Sequence, residues 1–327
     1  MKEYKYNPKP EFEARMRKLL TNKEDYLAYS EIIHTLPRNF IRCNTLKISS
    51  EDLIKRLSKK WDVEQPFSDN KEIMLVKSKL APGELGKAEE HLLGFYYVQE
   101  LSSMLSVLAL LPEENERVLD LCASPVSKTT QIACFLKNSG TILANDNDIA
   151  RIVILASNLE RCGVANSILT RMQGDNLCER LKARMQFDKI LVDAPCSGEG
   201  TLRSSPKTFL MWNKKMIESV SKLQKKLLCS AIPLLREGGS LVYSTCTHAP
   251  EENEEVVDFA LKQFPNLKLE EIKLPVKSRD GILEWEDKKF SKELVKARRI
   301  YPQDNDSEGF FLAKFVVQHK NSDGDEE

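Results

Sequence analysis

The sequence predicts an α/β fold in which a mostly parallel, doubly wound sheet follows a small α+β domain. From residue 101 onward, helical segments alternate with short apolar runs at the spacing that is typical of such sheets. Two of these runs end abruptly in polar loops that each carry a cysteine, Cys196 in the first and Cys246 in the second. Because ligands of open α/β sheets bind outside the carboxyl ends of the strands, we expect the functional site at these two loops.

The composition limits the class of protein. The 327 residues are enough for two domains, and 30% of them are charged, with a formal net charge of zero. A neutral total does not support a globally basic nucleic-acid binder, although local basic patches can still contact phosphates. No apolar run reaches the roughly 18 residues of a membrane span, so we expect no membrane contact.

The eight cysteines show no CxxC spacing and no cluster with histidine, and no secretory signal peptide is present. We therefore expect a reducing, cytoplasmic location and no bound metal. Five of the cysteines are expected to be small buried hydrophobic residues. These are Cys43, Cys134, Cys162, Cys178 and Cys229.

The first 111 residues predict the small α+β domain. Residues 1–36 have helical spacing that Pro37 ends, and residues 38–46 alternate as a strand does. Residues 50–57 open with a good helix cap, and short strands are expected near residues 71–76 and 95–99.

Residues 112–318 predict the large domain, and residues 319–327 form an acidic tail that we expect to be disordered. The predicted strands are residues 117–121, 141–144, 167–171, 190–193 and 241–244, followed by an antiparallel closing strand at 309–317. The predicted helices are residues 101–111, 127–136, 149–161, 217–235 and 252–263.

The first strand of the large domain leads into a loop of small residues and then a helix, DLCASPVSKT. Backbone donors at such a junction bind nucleotide-like ligands. The GxxxxGK[ST] spacing is absent, so an NTPase is disfavoured. The candidate ligand contacts in this loop are Cys122, Ala123, Ser124 and Pro125.

Acidic residues follow the next two strands. Asp146 ends the second strand, where an acid can bind both hydroxyls of a ribose. It could instead cap a helix, although Asp148 is the better cap candidate. Asp175 follows the third strand and is expected either to contact the adenine side of the ligand or to lie in a bare turn.

Seven segments together resemble one known family. They are PRNFIRCNTL, GFYYVQELSSML, VLDLCASPVSKTTQIA, ANDNDIAR, DAPCSGEGT, YSTCTHAPEENEEVV and RIYPQDNDSEGFFLAKF. The chain resembles the Sun/RsmB-type RNA cytosine-5 methyltransferases over residues 37–315, and the archaeal, tRNA-directed branch in particular. The combination of DAPCSGEGT with STC followed by ENE is highly specific. The resemblance implies a Rossmann-like methyltransferase fold, an N-terminal domain similar to an RNA-binding module, and S-adenosylmethionine as cofactor.

The resemblance also implies roles for four residues. Carbon 5 of cytosine becomes nucleophilic when a thiolate adds to carbon 6, and a base must later remove the proton at carbon 5. In this family the attacking thiol is that of the Thr-Cys motif, which is Cys246 here, and the Pro-Cys thiol, Cys196, assists release. DNA cytosine methyltransferases attack with the Pro-Cys thiol, so both thiols together indicate RNA. Asp193 would hold the ring near nitrogen 3, and Lys128 would support Asp193.

Each of these residues also has a purely structural interpretation. The two cysteines could be buried at strand ends, Asp193 could cap a turn and Lys128 could be a solvated lysine. The cofactor contacts that the resemblance implies include Arg151, Lys128 and Asp193 in addition to the loop residues, Asp146 and Asp175.

The sequence departs from the family in two places. Where the family has glycine followed by glycine or serine, this chain has Val126 and Ser127. If Val126 is left-handed, we expect about 1–3 kcal/mol of strain or a displaced cofactor. The family often has histidines after Tyr-Pro, where this chain has Gln303, Asp304 and Asn305.

RNA contacts would come from local basic patches, although charge runs are more often solvated faces. The candidates are Arg38, Arg42, Arg203, Lys207, Arg298 and Arg299. The target base must leave its stack to reach Cys246, which costs least in single-stranded or bent RNA.

The leading hypothesis is a monomeric RNA cytosine-5 methyltransferase, with tRNA favoured over rRNA. The alternative is an RNA-binding protein of the same fold with weak or lost catalysis because of Val126. A small-molecule methyltransferase would leave both thiols and the N-terminal domain unexplained.

Overall fold

The computed structural model describes residues 7–124 and 126–317. Three predictions therefore fall outside the described residues: the start of the first helical segment, the contact assigned to Pro125, and the acidic tail at 319–327. None of the helices in the described part has the length and apolar character that a membrane crossing requires.

The N-terminal domain is built on a four-stranded antiparallel sheet of order β2-β3-β1-β4. The first elements in chain order are α1 (Pro10–Leu19), α2 (Lys23–Ile32), β1 (Asn39–Cys43), α3 (Ser50–Leu57), β2 (Val63–Glu64), β3 (Ile73–Val76), α4 (Glu84–Lys87), α5 (Glu89–Leu92) and β4 (Tyr96–Val98). Helix α3 begins as predicted, because the Ser49 side chain accepts a hydrogen bond from the Asp52 N–H. Its apolar face packs Leu53 against the sheet. The predicted α+β domain is confirmed.

Helices α1 and α2 pack on the large domain and away from this sheet. Their apolar residues, including Phe12 and Tyr29, share a core with Trp212 of the large domain. Arg15 of α1 donates two hydrogen bonds to the Glu251 carboxylate, at 2.9 and 2.6 Å. The sequence pattern alone did not predict this docking.

The large domain contains a nine-stranded sheet of order β11-β14-β15-β9-β8-β5-β6-β7, with β10 also paired to β15. Its elements are α6 (Leu101–Leu110), β5 (Arg117–Asp120), α7 (Ser127–Leu136), β6 (Thr141–Asp146), α8 (Ile149–Cys162), β7 (Ser167–Arg171), α9 (Gly174–Leu181), β8 (Phe187–Asp193), α10 (Thr208–Met211), α11 (Lys214–Ala231), β9 (Leu235–Thr245), α12 (Glu254–Gln263), β10 (Leu267–Glu270), β11 (Arg279–Asp280), β12 (Glu284–Trp285), β13 (Lys288–Lys289), β14 (Arg298–Ile300), α13 (Pro302–Asn305) and β15 (Phe310–Val317).

Five neighbouring strands, from β9 to β7, are parallel, and β15 closes the sheet antiparallel to β9. This arrangement confirms the predicted Rossmann-like methyltransferase fold. Helix α6 packs against α7, β8, β9 and β15. Since α6 shares the core of the large domain, we propose a domain boundary near residue 100 in place of residue 111.

Candidate active site

The two thiols lie side by side at the carboxyl ends of neighbouring strands. Strands β8 and β9 are parallel, and Asp193 is the register partner of Ser244, so the loops that follow them meet. The Sγ atoms of Cys196 and Cys246 are 3.1 Å apart, and both residues are free cysteines. The hydrogen bond with Cys246, together with burial, raises the pKa of the Cys196 thiol well above its usual value. The contact between the two sulfurs therefore disfavours loss of both protons from the pair.

Lys128 and Asp193 form an ion pair beside these thiols. Lys128 Nζ lies 2.7 Å from Asp193 Oδ2 and also donates a hydrogen bond to the Ser103 hydroxyl at 2.9 Å. The other carboxylate oxygen of Asp193 accepts a hydrogen bond from the Ser244 hydroxyl at 2.7 Å. With both oxygens engaged, the carboxylate has one orientation.

A cleft of about 330 Å³ leads from the thiols along the ends of β5, β6 and β7. The predicted site residues that line this cleft are Cys122, Ser124, Asp146, Arg151, Asp193, Cys196 and Cys246. Leu223 and Leu227 of α11 and Met172 form apolar parts of the wall that were not predicted.

The cleft fits S-adenosylmethionine in the chemistry of its donors and acceptors. Asp146, on the β6 end, has a carboxylate for ribose hydroxyls, and the apolar wall suits an adenine. The Ser124 hydroxyl is buried and has no hydrogen-bond partner among the described residues, so it is available to a ligand. A Cβ at Gly174 would come within 2.7 Å of Leu227 Cδ2, so a larger residue there would have to displace this part of the wall.

The Asp146 carboxylate is also oriented by the protein. One oxygen accepts a hydrogen bond from the Asp148 N–H at 2.9 Å, and Arg151 lies 3.6 Å from the other. Asp148 itself caps α8, accepting hydrogen bonds from two backbone N–H groups. Asp148 is therefore the cap of this helix, and the alternative interpretation of Asp146 as a helix cap is wrong.

Three predicted cofactor contacts, Ala123, Lys128 and Asp175, are not among the residues that line the cleft. Lys128 instead reaches Asp193 and Ser103. Asp175 is at the start of α9, and its carboxylate pairs with Lys226 outside the cleft lining. This ion pair argues against the predicted adenine contact. Ala123 is buried, and its N–H donates to the Asn145 carbonyl, so it joins β5 to β6.

Val126 has the left-handed backbone conformation that the sequence analysis considered, with φ +86° and ψ −25°. It directly precedes α7, the helix that carries Lys128, and its side chain is buried. A β-branched residue is strained in this conformation. The loop between β5 and α7, which we call the cofactor loop, therefore contains backbone strain that lowers the free energy of unfolding.

Three of the six predicted RNA contacts are buried arginines, which is a correction to the sequence analysis. Arg42 donates hydrogen bonds to Gln99 and to Thr130 of α7. Arg203 binds the Ser307 carbonyl and Asp306, and Arg299 binds both oxygens of Glu254. Because these guanidinium groups are saturated inside the protein, we no longer assign them to RNA.

The other three candidates are more accessible. Lys207 is exposed, and Arg38 is half exposed in an ion pair with Asp306. Arg298 is partly exposed and pairs with Asp280. The sequence pattern does not indicate Ser103 and Ser244, whose hydroxyls bind Lys128 and Asp193. The β8–β9 register would have identified Ser244, whereas no sequence signal identifies Ser103.

Comparison with known families covers nearly the whole described chain. The model for the 16S rRNA methyltransferase RsmB/F matches residues 107–316. The model for the N-terminal domain of the 16S rRNA methyltransferase RsmF matches residues 9–101.

Three named relatives act on different RNAs. The tRNA (cytosine(49)-C(5))-methyltransferase of Pyrococcus abyssi is 39% identical over 94% of this chain and 97% of its own length. The ribosomal RNA small subunit methyltransferase F of Vibrio parahaemolyticus is 39% identical over 86% of this chain, which spans 57% of that protein. The human 28S rRNA (cytosine(4447)-C(5))-methyltransferase is 37% identical over 91% of this chain, which spans 37% of it.

Two solved structures are similar over nearly their whole length. A methyltransferase homolog from Pyrococcus horikoshii is 34% identical with a TM-score of 0.82, covering 94% of each chain. NSun6 from Pyrococcus horikoshii, crystallised with the S-adenosylmethionine analogue SFG, is 25% identical with a TM-score of 0.80, covering 95% of this chain and 99% of its own. The chain therefore belongs to the RsmB/F family of S-adenosylmethionine-dependent RNA cytosine-C5 methyltransferases.

Proposed function

We propose that the protein methylates carbon 5 of a cytosine in tRNA, with Cys246 as nucleophile and Cys196 as the group that assists release. The observation that carries this proposal is the pair of Sγ atoms 3.1 Å apart beside the Lys128–Asp193 ion pair, at one end of a cleft that fits the cofactor. The tRNA substrate is supported by the archaeal tRNA methyltransferase, which is 39% identical over 94% of this chain. The rRNA enzymes, at 37% and 39% identity, make rRNA the second candidate.

The first step concerns the target ring. The Cys246 thiolate forms a bond to carbon 6, and the electron pair of the carbon 5–carbon 6 double bond becomes available at carbon 5. Asp193 holds the ring at its nitrogen 3 edge, and Lys128 fixes the orientation of that carboxylate. Asp146 and Asp193 are the acids that would hold S-adenosylmethionine, whose sulfonium would give its methyl group to carbon 5 and leave as the neutral thioether.

The second step frees the product. A base removes the proton at carbon 5, the bond between sulfur and carbon 6 breaks, and Cys246 leaves as a thiolate. Cys196 lies beside that sulfur and assists this step.

The exposed cations Arg38 and Lys207 and the partly exposed Arg298 are our proposed RNA contacts, and we propose that the protein acts as a monomer. The alternative function, an RNA-binding protein with weak or lost catalysis, has the strain at Val126 in its favour. The assembled thiols, ion pair and cleft favour the enzyme.

The experiment that tests the proposal uses Cys196→Ala protein, S-adenosylmethionine and unmodified tRNA on a denaturing gel. We expect a slow-migrating covalent protein–RNA band, which should be absent from the Cys196→Ala/Cys246→Ala double variant. No band together with undetectable cofactor binding by calorimetry would favour the RNA-binding alternative. No band with normal cofactor binding would contradict tRNA as substrate, and rRNA would be tested next.

A further inference from the structure

Glu252, in the ENE sequence after Cys246, is attached to the loop that carries Cys196. Its side chain is fully buried, and Oε2 accepts hydrogen bonds from the Ser197 N–H and the Gln224 amide, both at 2.9 Å. The same Gln224 amide donates to the Pro195 carbonyl at 2.8 Å. The residues on both sides of Cys196 are therefore held by Glu252 and its partner Gln224.

Asn253, the next residue, holds the residues on both sides of Cys246. Its Oδ1 accepts a hydrogen bond from the Thr245 hydroxyl at 2.6 Å, and its Nδ2 donates to the Thr247 carbonyl at 3.0 Å. The two loops are joined by a hydrogen bond of 2.8 Å between the hydroxyls of Ser197 and Thr247. Each of these two adjacent side chains thus makes its shorter hydrogen bonds to one of the loops that carry Cys196 and Cys246 (the two thiol loops), and Glu252 Oε1 also accepts a longer hydrogen bond of 3.5 Å from the Thr247 hydroxyl.

We propose that Glu252 is a positioning residue for Cys196 and that Asn253 is the matching positioning residue for Cys246. Neither side chain lines the cofactor cleft, so each acts on the reaction through the loop that it holds. The inference rests on the proposed function, because it assigns Glu252 to the release step and Asn253 to the attack step.

The energetics of Glu252 support a functional reason for a carboxylate at this position. Its hydrogen-bond partners in the described part of the chain are neutral: the Ser197 backbone, the Gln224 amide and, at 3.5 Å, the Thr247 hydroxyl. Burial raises its pKa to about 7, which shows that the ionised form is disfavoured there. A buried carboxylate without a cation costs folding free energy, so stability alone does not favour this residue.

The two side chains should separate the two steps of the reaction. A displacement of about 1 Å in a reacting group can slow its step by roughly 100-fold. Loss of the Glu252 side chain frees the Ser197 N–H and displaces Cys196, whereas loss of Asn253 frees Thr245 and Thr247 and displaces Cys246. A residue that only supports folding would affect both steps alike.

The experiment compares Glu252→Ala and Asn253→Ala in single turnovers with unmodified tRNA and S-adenosylmethionine, with Cys196→Ala and Cys246→Ala as references. For Glu252→Ala we expect the covalent adduct to form at a rate within about threefold of the natural protein and to be released about 10- to 100-fold more slowly. For Asn253→Ala we expect adduct formation to slow by a similar factor. Cofactor affinity by calorimetry should not change in either variant.

A conservative variant provides the rescue. Glu252→Gln keeps an oxygen that can accept from the Ser197 N–H, so release should return to within about threefold of the natural rate. Gln224→Ala frees the Pro195 carbonyl and should show a partial release defect, which keeps the inference testable if Glu252→Ala does not fold.

The outcomes distinguish the inference from the proposed function. If Cys196→Ala traps an adduct but Glu252→Ala and Gln224→Ala release product normally, the inference is overturned and the proposed function stands. Equal slowing of both steps in Glu252→Ala would overturn it in the same way. If Cys196→Ala traps no adduct, the roles of the thiols are wrong, and the inference falls with them.

Discussion

Lys128 Nζ lies 2.7 Å from Asp193 Oδ2, and this ion pair joins the helix that follows the cofactor loop to the strand that carries the first thiol loop. The two side chains are only 10% and 19% exposed, so water screens the pair weakly. The ammonium is also fixed by Ser103 and the carboxylate by Ser244. The pair is therefore a rigid element of the site.

Lys128→Ala should slow methyl transfer by about 100- to 1000-fold, because the carboxylate loses both its counter-charge and its fixed orientation. The affinity for S-adenosylmethionine should change less than about tenfold, since Asp146 and the apolar wall remain. Transfer of a labelled methyl group in a single turnover measures the first effect and calorimetry the second. Lys262→Ala, which removes a lysine that is 69% exposed on α12, is the control and should leave transfer unchanged. Transfer within threefold of normal in Lys128→Ala would contradict the assignment.

At Val126 the usual order of stability, in which an alanine variant is more stable than a glycine variant, should be inverted. In an ordinary strand or helix, glycine is less stable than alanine by about 0.5–1 kcal/mol. With φ at +86°, alanine retains the left-handed strain and glycine does not, a difference of about 1–2 kcal/mol in favour of glycine. Val126→Gly should therefore have a larger free energy of unfolding than Val126→Ala, and its cofactor affinity should equal or exceed that of the natural protein. Urea unfolding and calorimetry check the two statements.

The reverse order of stability would mean that the loop has no left-handed strain at this position. A large loss of cofactor affinity in Val126→Gly would show that the isopropyl group itself supports the cofactor.

The sequence predicted the site best where the chemistry coincides with the ends of buried strands. An apolar run that stops at Asp193 or Thr245 can be recognised in the amino-acid sequence alone. The parallel pairing of the two strands then brings Cys196 and Cys246 together. The order of strands and helices was predictable for the same reason, since buried parallel strands read as short apolar runs.

The neutralisation of charges was not predictable, because the partners come from distant segments. Arg203 donates to the carbonyl of Leu36 and Arg15 pairs with Glu251, separations of 167 and 236 residues. A sequence gives the position of a cation but does not show which carboxylate or carbonyl group will surround it. For this reason the sequence pattern indicates RNA contacts at arginines that are buried, and it does not predict the docking of α1 on the large domain.

Arg299→Ala should lower the free energy of unfolding by about 3–5 kcal/mol, because it leaves the Glu254 carboxylate buried without a cation. Arg38→Ala is the matched control. Its ion pair with Asp306 is half exposed, and such pairs contribute about 0–1 kcal/mol. Thermal and urea unfolding of the two variants measure the contrast. If Arg299→Ala were as stable as Arg38→Ala, the Arg299 guanidinium would not be the internal partner that the structure shows.

Glu308 should make stability depend on pH in a direction opposite to that of most carboxylates. Burial, together with the nearby Glu100 carboxylate, raises the pKa of Glu308 to about 7 against a hydrogen bond from the Ser204 N–H that lowers it. Because the folded-state pKa is above the unfolded value, the folded protein binds the proton more tightly. The contribution of this proton to stability is complete at low pH and is lost as the pH rises through 7.

Glu308→Gln replaces the acid by a neutral group of the same shape and removes this dependence. The free energy of unfolding of the variant, minus that of the natural protein, should therefore increase by about 1–2 kcal/mol between about pH 5.5 and pH 8. Burial also raises the pKa values of Asp120 and Glu252 to about 7, but these groups titrate in both proteins and cancel in the difference. Urea unfolding at the two pH values measures it, with the exposed Glu51→Gln as the control that should show no change. A difference that is the same at both pH values would mean that Glu308 is ionised in the folded protein throughout this range.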